Sequence, residues 1–166
     1  MIEPKIYIAK ATMNSDGSVT TQPEVEIQDY FKGAYYNLVD GLEAYGQPRT
    51  YTETFPEDEV TDVLFGNSWE PTDFTLKLYF FDPESSTDDA VALQNIDAAY
   101  HAFVNYITGS YIKFWDNIRK RKVLLAFTNS VKPDVDHLYG LVYKSVAFKF
   151  KNIYGRTFGI NEDTGW

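Results

Sequence analysis

Residues 73–81, DFTLKLYFF, alternate so strictly that they fix their own secondary structure. Phe74, Leu76, Leu78 and Phe80 fall on one side of an extended chain, with Thr75, Lys77 and Tyr79 on the other. That is the two-residue period of a half-buried strand. Residues 138–155, LYGLVYKSVAFKFKNIYG, repeat it, with Val142, Val146, Phe148 and Phe150 on one face and Tyr143, Lys149 and Lys151 on the other. Two long strands with one apolar face each require a covering layer. The segment STDDAVALQNIDAAYHAFVNYITG supplies it: Leu93, Ile96, Tyr100, Phe103 and Ile107 recur at helical spacing and make one stripe. Ser86 or Thr87 can cap this helix, Asp88 and Asp89 suit its positive end, and Gly109 can stop it. The expected helix covers about residues 87–108.

The remaining segments read as strands and turns. PKIYIAKATM, the turn NSDGS and VTTQPEVEI form an N-terminal arm or hairpin over residues 1–26, with Pro23 interrupting the second strand. Glycines at 33, 41 and 46 and Pro48 punctuate short strands over residues 29–55. YIKFW and KVLLAF flank DNIRKR as a hairpin, and RTFGINEDTGW is a short last strand or a mobile tail. The expected architecture is mainly β (α+β): an antiparallel sandwich or split barrel with one long flanking helix. One β-rich domain over residues 27–160 and a C-terminal tail over 161–166 complete the division.

Aromatic residues make up 17% of the chain, 13 of them Tyr and 12 Phe, which favours strands and half-buried surfaces. There is no Cys, so disulfides and thiolate metal sites are excluded, and an intracellular, soluble protein is the expectation. Residues 1–10 do not resemble a secretion signal, and no apolar run approaches the ~20 residues of a membrane span.

Chemistry is sparse. His101 lies in the helix beside the stripe, and His137 follows KPDVD without a second histidine near it, so no metal or cofactor is expected. Ser110, Ser130 and Ser145 have no nucleophile motif around them, and no glycine-rich phosphate loop occurs. Glu57, Asp58 and Glu59 follow Pro56 in what reads as an acidic loop rather than a cleft-borne catalytic pair. The expectation is a protein that is not an enzyme.

Charge is the feature left over. Residues 1–110 hold 5 Lys/Arg against 19 Asp/Glu, whereas residues 111–156 hold 10 against 3, in a chain of net charge −9. Arg119, Lys120, Arg121 and Lys122 form the densest cationic run. Nucleic acid could take such a run, with Tyr111, Phe114 or Trp115 stacking on bases, but the acidic remainder opposes it. A solvated turn that guards a sheet edge is a second use. The third is contact with another protein, most simply another copy, since a chain with an acidic and a basic side joins head to tail into a ring or filament.

Four segments, YFKGAYYNLVDGLEAYGQPRTYTETFPED, FTLKLYFFD, AYHAFVNYITGSYIKFWDNIRKRKVLLAF and LYGLVYKSVAFKFKNIYGRTF, resemble in this order the ring-forming part of phage and prophage distal tail proteins and tail-tube proteins. The resemblance covers about residues 27–160. It implies a β-sandwich or split barrel with one helix, in a non-enzymatic virion component. Such a protein assembles as a ring, commonly a hexamer, where tail tube meets baseplate. Its location would be the virion tail, assembled in the bacterial host cytoplasm. Its partners would be other copies and other tail proteins, with no membrane and with DNA only as passing cargo. On this reading Arg119, Lys120, Arg121 and Lys122 form the basic side of an inter-subunit contact, Glu57, Asp58 and Glu59 its acidic partners, and Trp115 an aromatic anchor. The N-terminal arm would reach a neighbouring copy. The alternative is a β-sandwich module for carbohydrate or a cell-surface ligand, which a flat row of exposed aromatics would favour.

Overall fold

The computed structural model describes residues 3–40, 47–54, 62–130, 134–138 and 141–166. The strands are β1 (Ile6–Met13), β2 (Val19–Thr21), β3 (Val25–Glu26), β4 (Ala34–Asp40), β5 (Gln47–Thr54), β6 (Asp62–Glu70), β7 (Thr72–Phe81), β8 (Tyr111–Asp116), β9 (Arg121–Ser130), β10 (Asp134–Leu138), β11 (Leu141–Asn152) and β12 (Phe158–Gly159). The helices are α1 (Ile27–Tyr30) and α2 (Asp89–Ile107).

All described pairings are antiparallel. The main sheet runs β2-β1-β8-β9-β11-β7-β4, with β3 on β1, β12 on β9 and β10 on β11, while β5 and β6 form a two-stranded sheet apart from it. The sheet is not a closed barrel. At one corner the Tyr36 hydroxyl of β4 donates to the Pro4 carbonyl at 2.5 Å, beside Glu26 at 3.4 Å, and α1 packs against β1, β3 and β4. Burial and the Glu26 carboxylate push the Tyr36 phenol up, so it stays a neutral donor.

The alternation expected of β7 and β11 is observed. Phe74, Leu76, Leu78 and Phe80 are buried, as are Val142, Val146, Phe148 and Phe150. From α2, Ile96, Phe103 and Ile107 are buried against this face, with Leu93 and Tyr100 half-buried beside them. Phe148 lies at the centre, its ring 4.8 Å from Phe103 and 6.3 Å from Phe80. The cap of α2 falls one residue later than Thr87: Asp88 accepts from Ala90 N–H at 2.9 Å. The Ser86 N–H is already held by Asp82 at 2.7 Å, which keeps Ser86 in the preceding turn.

β1 and β2 form a hairpin joined through the turn at Gly17, and β1 pairs over Ile6–Ala11 with β8 of the same chain. The last residues are not a free tail. β12 pairs with β9, and Trp166 packs on a second apolar cluster of Ala11, Val19, Leu124 and Tyr154 on the outer side of the sheet. β9 therefore has both faces covered, which is why Lys122, Val123, Leu124 and Leu125 are buried in succession instead of alternating.

Gly33 turns the chain into β4 with φ +88°, and a Cβ there would meet the Phe81 carbonyl oxygen at 2.4 Å. Gly33→Ala combines a left-handed backbone, which costs about 1–2 kcal/mol for an L-residue, with that clash; the expected result is a clear fall in the urea midpoint. Asp82 gives a second expectation. Burial would raise its pKa, but N–H groups of Ser86 and Glu84 and the Asn95 amide outweigh this and bring it from 3.8 to about 2. The folded carboxyl is thus the stronger acid, so its stabilisation is present above pH 3.8 and lost as pH falls toward about 2. Asp82→Asn should be less stable than the wild type at neutral pH, with the gap in thermal midpoint closing across that acidic window.

Candidate interaction surface

The basic run sits on the turn between β8 and β9, where Asp116 organises the chain. Its side chain accepts from Arg119 N–H at 2.8 Å and its carbonyl from Lys120 N–H at 3.2 Å. Lys120 adopts φ +53°, and both Arg119 and Lys120 are exposed. The next two cations turn the other way. Arg121 donates to the Thr157 hydroxyl at 3.0 Å and the Thr157 carbonyl at 2.9 Å. Lys122 is 2% exposed, and its ammonium donates to the carbonyls of Glu162 at 2.8 Å and Trp166 at 2.6 Å, 5.0 Å from the Trp166 ring centre. Burial, then Lys113, pushes its pKa down, against the pull of Glu162, Asp163 and Glu24. The four cations expected to act as one surface thus divide into an exposed pair at the turn and a pair that fastens the C-terminal segment.

Trp115 is half-buried. Its ring stacks on Tyr7 at 4.6 Å and its indole N–H donates to Glu24 at 2.9 Å. The same Glu24 accepts from Lys113 at 2.8 Å. Glu57, Asp58 and Glu59 lie outside the described residues, as does the His137 side chain; His101 is exposed and meets the Tyr100 ring edge-on.

The charge asymmetry along the chain is partly cancelled by the topology. Lys113 meets Glu24, Lys144 meets Asp97, and Lys151 meets Asp73 at 2.6 Å. Each pair joins a cation of the basic stretch to an acid of the acidic one, because antiparallel pairing and the covering helix bring the two together. Sequence reasoning missed this, although the alternation of Lys149 and Lys151 opposite the acidic start of β7 was a usable signal.

Among the described residues no group of three or more His, Asp or Glu could hold a metal, and no helix is long and apolar enough to cross a membrane. Among the described residues, Tyr143 stacks on Phe81 at 5.3 Å. Tyr35 is 49% exposed, but its ring stands edge-on to Phe81, and Tyr79 is tilted against Tyr143.

No family model and no curated protein matches the sequence. Solved structures do. A chain of the phage P2 baseplate in its activated conformation with calcium matches over 93% of this chain and 46% of its own, with TM-score 0.55 and 14% identity. The hub adsorption protein Dit of phage SPP1 matches over 92% and 52%, with TM-score 0.51 and 8% identity. The phage p2 baseplate with strontium matches over 89% and 44%, with TM-score 0.51 and 14% identity. The fold is that of these baseplate and hub chains. The present chain spans about half their length.

Replacing Lys122 by Met keeps the stem but removes the donor shared by two carbonyls, at a cost of about 1–3 kcal/mol. Residues 158–166 should then show faster amide hydrogen exchange while β7 and β11 keep their protection. Unchanged exchange would show that the ammonium does not hold the segment.

Proposed function

We propose that the chain is a non-enzymatic structural component of a phage or prophage tail, which self-assembles into a ring where the tube meets the baseplate. The observation that carries this reading is the match to baseplate and hub chains over nearly the whole of this one. The order of the four sequence segments named above supports it independently. A ring of identical chains needs two different patches on each copy, and electrostatic contrast between them sets partner and register more than affinity. Of the basic run, Arg119 and Lys120 remain as exposed contact residues toward a neighbouring tail protein or subunit. Virion tail location, assembly in the host cytoplasm and passage of DNA through the ring belong to the same reading. Acidic groups on the lumen would let the duplex slide.

Mass in solution by light scattering, across concentration and salt, tests it. The expected result is a discrete multiple of 19.1 kDa that loosens as salt rises. A particle that stays at one chain mass at every concentration removes the self-assembling ring.

A further inference from the structure

An open groove of about 650 Å³ lies between α2 and the β1–α1 region. Ala98, Ala99 and Ala102 line it on the helix side, so no long side chain fills it. Tyr30, Phe31 and Tyr106 form one wall, with ring centres 4.8–5.8 Å apart, and Tyr30 is 58% exposed. Lys10 and Lys32 border these rings, the Lys10 ammonium 4.8 Å from the Tyr106 centre. Among the described residues neither lysine has an ion pair, in contrast to Lys113, Lys144 and Lys151. They are two of only five cations in residues 1–110. Pro83 and Glu84 edge the groove elsewhere, and Glu84 is the one acid lining it.

An aromatic wall between two unpaired cations, over a floor of small side chains, fits a peptide segment that carries an aromatic residue next to several carboxylates. The sequence holds one run of three acids, Glu57-Asp58-Glu59, and Phe55-Pro56 stands directly before it. This run joins β5 to β6, the two strands hydrogen-bonded apart from the main sheet. We infer that the Lys10–Lys32 groove receives the 55–59 segment of a second copy of this chain, with Phe55 against the tyrosines and the carboxylates beside the lysines. The inference rests on the ring reading and names one contact within it. The groove and the segment are different patches of one chain, so the contact is head-to-tail and can propagate around a ring.

Charge exchange tests it. One variant carries Lys10→Glu and Lys32→Glu, and the other Glu57→Lys, Asp58→Lys and Glu59→Lys; the mass of each is measured alone and in an equal mixture. Each variant alone places like charges at every contact and should need about tenfold or more protein to assemble. In the mixture, alternating copies place opposite charges at every contact, so assembly should return to the wild-type range. Circular dichroism checks that both variants are folded. If both assemble as the wild type does, the groove assignment is overturned while the ring reading stands. If both fail and the mixture does not recover, the segment does not enter a neighbour's groove. A wild type that stays at single-chain mass removes the ring reading and this contact together.

Discussion

The ten consecutive cross-strand pairs between β7 and β11, from Thr72↔Asn152 to Phe81↔Tyr143, are the frame on which the other elements are hung. They align two apolar faces into one surface broad enough for α2. A one-residue slip would turn Phe74, Leu76, Leu78 and Phe80 toward the outer side and leave the helix stripe nothing to cover. Phe148, between Phe80 and Phe103, ties strand to strand and sheet to helix at one point. β4 extends the frame on one side through β7, and β9, β8 and β1 extend it on the other.

The same frame decides what becomes of the charge. A chain that is acidic early and basic late would be a lopsided object if its two stretches folded side by side as blocks. Here the basic strands lie among acidic neighbours, so Lys113, Lys144 and Lys151 find carboxylates within the fold. Lys122 goes further and is buried, which is costly for a cation unless its donors are occupied. Two carbonyls and the face of Trp166 meet that need and tie the last residues to β9. Arg119 and Lys120 stay exposed at their turn, and Lys10 and Lys32 border the helix groove.

Periodicity revealed β7, β11 and α2 because each has one wet and one dry side. β9 hid its role, since a strand covered on both faces has no period, and the second cover comes from Tyr154 and Trp166 some thirty residues or more downstream. The cap of α2 was misplaced by one residue because Ser86, Thr87 and Asp88 are all competent acceptors, and only the Asp82 turn decides among them. The block 119–122 looked uniform in sequence. In an extended strand neighbouring side chains take opposite faces, but here the turn geometry at Lys120 and the C-terminal segment over β9 split the block two and two. The groove was invisible for a related reason. Lys10, the Tyr30–Lys32 stretch and Tyr106 lie far apart along the chain, and Ala98 and Ala102 read only as good helix formers.

The groove also explains a feature of α2 that packing alone leaves open. The side facing the sheet is filled by Ile96, Phe103 and Ile107, as a covering helix requires. Its solvent side could carry long charged residues, the usual choice for solubility and for i,i+4 pairing. At Ala98 and Ala102 it carries methyl groups instead, beside the exposed Tyr30. Short side chains there give no ion pairs and little cover for the rings, but they let another backbone approach closely. The helix thus keeps its large residues inward on the sheet and alanines outward at the groove.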